Sequence, residues 1–159
     1  MAATGLFTGM HHASITTRDI ARLKDFYCRC LGFEVVLETS WEADNEAADR
    51  IYGLRDTAVK MLMLRLNNAC LEIFEFVQPQ GKPADLMRPV SDAGYTHICV
   101  TVNDIDAAYE RLVSMGMKFN CPPQHMAGLC SATYGRDPDG NLIELMQPAP
   151  GGPFDLTKG

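Results

Sequence analysis

Two histidines and two glutamates have the residue types and spacing that suit metal chemistry. His12 and His97 each begin a short β-rich segment, and an Asp-Ile pair starts seven residues after each of them. Glu72 and Glu144 each lie in a later apolar segment that follows a turn. Two imidazoles and two carboxylates suit Ni, Zn, Mn, Co or Fe(II) better than Ca or Mg, which prefer oxygen ligands throughout. The sequence therefore predicts one divalent metal ion with His12, Glu72, His97 and Glu144 as its ligands.

These four residues occupy matched positions in an internal repeat. In each half, the segment that carries the His leads into a helical pattern ending at a Gly, and a strand with the Glu follows. The His-to-Glu spacing is 60 residues in the first half and 47 in the second. We assign the extra 13 residues to an insertion at about 41–56. A lone strand His is usually a core residue and a lone Glu usually faces solvent, but recurrence of all four in register disfavours both interpretations.

The hydrophobic pattern predicts that each half is a βαβββ module. An Asp suited to cap a helix precedes each helical pattern, and Gly32 and Gly116 suit the left-handed position after the helix. We expect an α+β fold in which two such modules pair to form a curved sheet around a metal cleft. The expected ranges are 9–78 and 94–148 for the modules, 79–93 for the linker within one compact unit, 20–31 and 105–115 for the helices, and 32–37, 61–66, 117–119 and 129–134 for middle strands.

Composition excludes several other classes of protein. The 159 residues include 14 Lys and Arg against 20 Asp and Glu, a net charge of −6. This acidic balance argues against binding to nucleic acid or to an acidic membrane surface. No apolar run is long enough to span a bilayer, and residues 1–10 predict no signal peptide. We expect a cytoplasmic protein whose six cysteines are reduced thiols.

Several motifs together resemble the vicinal oxygen chelate superfamily, which includes glyoxalase I, methylmalonyl-CoA epimerase, extradiol dioxygenases and bleomycin-resistance proteins. The resemblance covers about residues 9–148. It implies one divalent metal ion between paired modules, within a chain or across a dimer interface, and we expect a homodimer with a small-molecule substrate. The motifs are His12 to Asp19, Phe26 to Phe33, Leu71-Glu72-Ile73, His97 to Asp104, and Arg136 through Leu145.

The resemblance implies a reaction in which the metal chelates two adjacent oxygens of the substrate. A cation on such an oxygen stabilises an oxyanion and makes the neighbouring C–H acidic. The expected activity is a glyoxalase-like lyase or isomerase reaction, with proton transfer through an enolate-type intermediate. Similarity to glyoxalase I implies that a ligand Glu leaves the metal to act as the base, and Glu72 and Glu144 are both candidates. Glyoxalase I usually has an Arg where this chain has Thr16, which argues against a glutathione substrate.

Two alternatives belong to other functional classes. An Fe(II) extradiol-type dioxygenase needs only His12, His97 and Glu144 as a facial triad, and Glu72 would then crowd the open positions. A bleomycin-resistance-type protein binds a small molecule without catalysis and lacks the metal ligands. The retained His and Glu set argues against this second alternative.

Residues beyond the four ligands give weaker signals. Trp41, Tyr52 and Arg55 lie in the inserted segment, which could cover the cleft, although a surface loop is the more ordinary interpretation. Tyr134 and Phe74 either line the pocket or belong to the core.

Two further histidines are not expected to bind the metal. His125 lies in a segment rich in Pro and Gly, which predicts an exposed loop. His11 precedes His12, and side chains alternate along a strand. We therefore expect His11 to point to the opposite face.

Overall fold

The computed structural model describes residues 5–156, which form two compact units divided between Pro83 and Ala84. The division falls within the predicted linker at 79–93. Residues 1–4, part of the segment for which the sequence predicts no signal peptide, lie outside the described residues, as do 157–159. Each unit contains its own mixed β-sheet.

In the first unit, the first strand pairs with the last. The sheet order is β1-β4-β3-β2, with β1 parallel to β4 and the other neighbours antiparallel. A single π-helical turn, Phe26–Cys30, continues the first helix. The elements are β1 (His12–Thr17), α1 (Ile20–Asp25), β2 (Glu34–Trp41), α2 (Glu46–Tyr52), β3 (Ala58–Leu66) and β4 (Ala69–Gln78).

The second unit repeats this topology. The sheet order is β5-β9-β8-β6, with β5 parallel to β9 and a short β7 paired to β8. The elements are β5 (His97–Thr101), α3 (Ile105–Ser114), β6 (Lys118–Phe119), β7 (Gln124–Met126), β8 (Cys130–Arg136) and β9 (Leu142–Pro148). Within residues 5–156, no helix is both long and apolar enough to cross a membrane.

The α+β fold built on βαβββ units is confirmed, with shifts of up to four residues at strand ends and three larger local differences from the expected elements. The first helix begins at Ile20 as expected, but α-helical geometry ends at Asp25 and the π-helical turn follows. The inserted segment contains α2. The stretch around His125 forms β7 instead of a loop.

Matched side chains fix the start of the first helix in each unit. The carboxylates of Asp19 and Asp104 accept hydrogen bonds from the third backbone N–H beyond them, both at 3.0 Å. A second acceptor comes from the last strand: Glu75 accepts from the Ile20 N–H and Gln147 from the Ile105 N–H, both at 2.9 Å. Free N–H groups at a helix start need such partners, so each helix is tied to the strand that carries the Glu predicted as a metal ligand.

The core of each unit lies between its helix and one face of its sheet. Leu71 and Ile73 are buried on either side of Glu72, and Ile143 and Leu145 on either side of Glu144. Because neighbouring strand residues face opposite sides, the two glutamates lie on the sheet face away from the buried core. Burial of the apolar neighbours therefore orients both carboxylates.

Candidate metal centre

The first of two His–Glu pairs, here called half-sites, consists of His12 at the start of β1 and Glu72 in the middle of β4. Parallel pairing places His12 opposite Cys70 and Ser14 opposite Glu72. A two-residue offset keeps His12 and Glu72 on the same face of the sheet. The His12 Nε2 lies 3.3 Å from the Glu72 Oε2, and both side chains are partly exposed.

The second half-site has the same construction. His97 pairs with Leu142, and Cys99 pairs with Glu144. The His97 Nε2 lies 3.1 Å from the Glu144 Oε2, and these side chains too are partly exposed. The parallel pairing of first and last strands thus brings together residues far apart in sequence, twice and in the same way.

The donor atoms of each pair fit two neighbouring positions around one cation. Ligand atoms about 2.1 Å from a metal ion, at angles of about 90–110°, are separated by roughly 3.0–3.4 Å. The distances of 3.3 and 3.1 Å fall in this range. A neutral imidazole nitrogen and a carboxylate oxygen are also the donor types that borderline divalent ions accept.

Each unit presents two donors. Among residues 5–156, the structure places no group of three or more His, Cys, Asp or Glu side chains in position to hold a metal ion. Of the four residues predicted as ligands, the structure therefore joins His12 with Glu72 and His97 with Glu144. A common site for all four stays a prediction.

Two protonated groups surround Glu144. Cys99 is exposed as a residue, but partial desolvation of its thiol, followed by the negative charge of Glu144, raises the pKa of the thiol to about 12. The same two causes raise the pKa of Tyr134, whose ring also meets the His97 ring edge-on at 5.0 Å. Both groups keep their protons at neutral pH and face the carboxylate as neutral neighbours. Tyr134, a sequence candidate for lining the site, does lie at this half-site.

The insertion places a tyrosine beside Glu72. Burial raises the pKa of Tyr52, and the charge of Glu72 adds to the effect. Its ring stacks on Trp41 at 6.0 Å and meets Phe74 edge-on at 5.6 Å. The surface-loop interpretation of this segment is therefore wrong for Trp41 and Tyr52, which are half-buried, whereas Arg55 is exposed.

A hydrogen-bonded carboxylate anchors the helix that carries Tyr52. Asp49 accepts from the backbone N–H of Asp56 at 2.8 Å and of Thr57 at 2.9 Å, and from the Thr57 hydroxyl at 2.7 Å. The Thr57 contacts lower the pKa of Asp49 below its usual value. This anchor holds the last turn of α2 near the start of β3.

The other two histidines differ in part from expectation. His125 is exposed as predicted, but it lies in β7, where its Nδ1 is 2.8 Å from the Ser131 hydroxyl. His11 does not point away from His12: the two Nδ1 atoms are 2.8 Å apart. His11 does not follow the alternation of a strand because β1 begins at His12, so His11 is not held in strand geometry.

Sequence reasoning missed Thr96 and Cys99. The Thr96 hydroxyl lies 2.8 Å from the His97 Nδ1. Cys99 could have been found, since it follows His97 by two residues and so shares its strand face. Thr96 precedes the first residue of β5, and no periodicity signals its contact.

Comparison with known proteins identifies the family. The sequence model of the Glyoxalase/Bleomycin resistance protein/Dioxygenase superfamily matches residues 9–145. The chain belongs to this superfamily. Within it, the Bacillus cereus glyoxalase family protein has a crystal structure that superimposes with a TM-score of 0.82 at 25% identity, covering 93% of this chain and 98% of that one.

Three relatives show the range of names within the superfamily. The uncharacterized protein YaeR of Escherichia coli (strain K12) is 32% identical over 87% of this chain and 95% of its own length. A lactoylglutathione lyase of Pseudomonas putida is 28% identical over 93% of this chain and 89% of its own. A 2-epi-5-epi-valiolone epimerase of an Actinomyces species is 29% identical, over 92% and 82% respectively.

Proposed function

We propose that this superfamily member is a divalent-metal-dependent, glyoxalase-like lyase or isomerase. Its metal ion would be Ni, Zn, Mn, Co or Fe, held by His12, Glu72, His97 and Glu144. Its substrate would be a small molecule with two adjacent oxygens. The two His–Glu pairs, matched in strand register and separated by 3.3 and 3.1 Å, carry this proposal.

The chain's own carboxylates account for the proton transfer. When bound, a divalent cation supplies Lewis-acid stabilisation of negative charge on a substrate oxygen. Glu72 or Glu144 then takes the proton from the adjacent carbon and returns it there or to a neighbouring atom. Tyr52 beside Glu72 and Tyr134 beside Glu144 are protonated at neutral pH and can hydrogen-bond to substrate oxygens.

The names of the relatives support this reaction class over dioxygenation. One is named a lyase and another an epimerase. The dioxygenase alternative uses one Glu, whereas this chain presents two equivalent His–Glu pairs. Retention of both pairs also favours a metal enzyme over a protein that only binds a small molecule.

Exchange of a substrate proton with solvent tests the proposal. Metal-loaded protein in D₂O is incubated with an α-keto acid, a hemithioacetal, a 2-acyl-CoA thioester and a catechol, and mass spectrometry follows deuterium uptake and product. We expect metal-dependent exchange with one of the first three classes. Glu72→Gln or Glu144→Gln should reduce it by about 100-fold or more, and the variant that keeps its metal but loses exchange identifies the base.

Glu34→Gln is the matched control, since Glu34 is an exposed strand glutamate whose carboxylate forms an ion pair with Arg65 at 3.5 Å. It should retain exchange. Oxygen consumption with the catechol that survives Glu72→Gln would replace the proposal with the dioxygenase. Binding of a substrate without metal uptake or exchange would favour the binding protein.

A further inference from the structure

The residue before each predicted metal-binding histidine contacts that histidine's Nδ1. The His11 Nδ1 lies 2.8 Å from the His12 Nδ1, and the Thr96 Oγ1 lies 2.8 Å from the His97 Nδ1. The two neighbours differ in type but occupy equivalent positions in the repeat. Neither belongs to the adjoining strand, which begins at the histidine itself.

Each of these histidine rings is therefore held at both nitrogens. On the far side, Nε2 faces a carboxylate at 3.3 Å in His12 and at 3.1 Å in His97. A neutral imidazole has one proton to place on two nitrogens, and the partner of one nitrogen decides the state of the other. The Nδ1 contact thus controls whether Nε2 has a free lone pair.

The hydroxyl of Thr96 and the imidazole of His11 each allow the proton of the adjacent histidine to lie on either ring nitrogen. A hydroxyl and an imidazole each donate and accept hydrogen bonds, whereas a carboxylate or carbonyl only accepts. With the proton on Nε2, facing Glu144, the His97 Nδ1 accepts from the Thr96 hydroxyl. With the proton on Nδ1, the same contact reverses, Thr96 accepts, and Nε2 is free to bind a cation.

We propose that His11 and Thr96 are positioning residues that hold the His12 and His97 rings in one orientation through this exchange of tautomers. The expected effect on metal binding rests on the proposed function, whereas the expected effect on the tautomers of the metal-free protein does not. Thr96 suits the role because branching at Cβ restricts its χ1 rotamers, so its hydroxyl is already aimed before metal binds. Partners of this kind typically change metal affinity by about 10- to 100-fold when removed.

Paired substitutions separate the hydrogen bond from the packing. Thr96→Val keeps the shape and removes the hydroxyl, whereas Thr96→Ser keeps the hydroxyl. For the other half-site, His11→Leu removes the donor and acceptor, and His11→Gln restores both. We expect Thr96→Val and His11→Leu to weaken Zn and Mn binding, measured against a chelating indicator, by about 10-fold or more. Thr96→Ser and His11→Gln should stay within about 3-fold of wild type.

Nitrogen-15 NMR of the imidazole rings at pH 8 gives a readout that needs neither metal nor activity. In the metal-free protein, Thr96→Val should shift the His97 balance between the Nδ1–H and Nε2–H tautomers, and Thr96→Ser should not. Equal spectra and equal affinities for wild type and Thr96→Val would overturn the proposal. Equal losses of metal affinity in Thr96→Val and Thr96→Ser would also overturn it, because the hydroxyl would then not be the cause. A wild type that takes up no metal would refute the proposed function and leave the NMR comparison to decide this inference.

Discussion

At the scale of single residues, the two candidate bases have different surroundings. Glu144 faces the Cys99 thiol and the Tyr134 phenol, and Glu72 faces the Tyr52 phenol. Burial, and then the negative charge of the neighbouring glutamate, raises the pKa of each of these groups and keeps it protonated. The chain thus places neutral hydrogen-bond donors next to both carboxylates, where an oxygen-rich substrate would need them.

The Cys99 thiol should be unusually unreactive for an exposed cysteine. Its pKa is raised from 9.0 to about 12, and only the thiolate reacts with alkylating reagents. Below pH 9, this leaves roughly a thousandth of the ordinary thiolate fraction. We expect iodoacetamide at pH 8 to modify Cys99 of the metal-free protein far more slowly than Cys121, which is also exposed, as followed by peptide mass spectrometry.

Glu144→Gln provides the control for this prediction. It removes the negative charge beside the thiol and should speed the modification of Cys99 while leaving Cys121 unchanged. Modification of Cys99 and Cys121 at equal rates in the unsubstituted protein would contradict the raised pKa of Cys99. An unchanged rate for Cys99 in Glu144→Gln would show that Glu144 does not contribute to it.

The sequence predicts the four candidate metal ligands because they recur in the repeat. It does not predict the residues that contact them. His12 and Glu72 match His97 and Glu144 in repeat position, and the structure joins each His to its Glu. Thr96 and His11 contact these histidines from positions just outside a strand. Such contacts depend on local backbone geometry that has no periodic signature.

At the scale of elements, the start of α3 in the second unit should depend on the side chain that caps it. The Asp104 carboxylate accepts from the Ala107 N–H at 3.0 Å and starts α3. Loss of such a cap costs about 1 kcal/mol. We expect Asp104→Ala to lower the free energy of unfolding by about this amount in urea titrations followed by circular dichroism.

Glu110→Ala is a suitable comparison, because Glu110 is exposed in the interior of the same helix. Its effect should stay within about 0.5 kcal/mol. An Asp104→Ala variant as stable as Glu110→Ala would mean that Gln147, which accepts from the Ile105 N–H, is enough to start the helix.

Element starts are easier to predict from this sequence than element interiors. Capping aspartates place both module helices at the correct first residue, Ile20 and Ile105. The π-helical turn at Phe26–Cys30 keeps the same apolar spacing as an α-helix, so the pattern does not distinguish them. The repeat does not predict α2, because the second unit has no equivalent helix. Comparison of the two halves therefore identifies this segment only as an insertion.

At the scale of the whole molecule, the repeat gives each unit one His–Glu pair of the same construction. Membership of the superfamily is consistent with this division, since its model spans residues 9–145 and therefore both units. The homodimer that the resemblance implies stays a prediction, which sedimentation equilibrium of the full chain would measure. The proposed function has the two pairs share one cation, and this is its central prediction.

Metal stoichiometry after dialysis tests that claim most directly. Protein equilibrated with Ni, Zn, Mn, Co or Fe(II) and dialysed should retain one ion per chain by mass spectrometry of the metal. His12→Ala and His97→Ala, which lie in different units, should each weaken binding by more than about 100-fold, whereas His125→Ala should not. Retention of no ion by the wild type, or wild-type retention by both His12→Ala and His97→Ala, would contradict a single site built from both pairs.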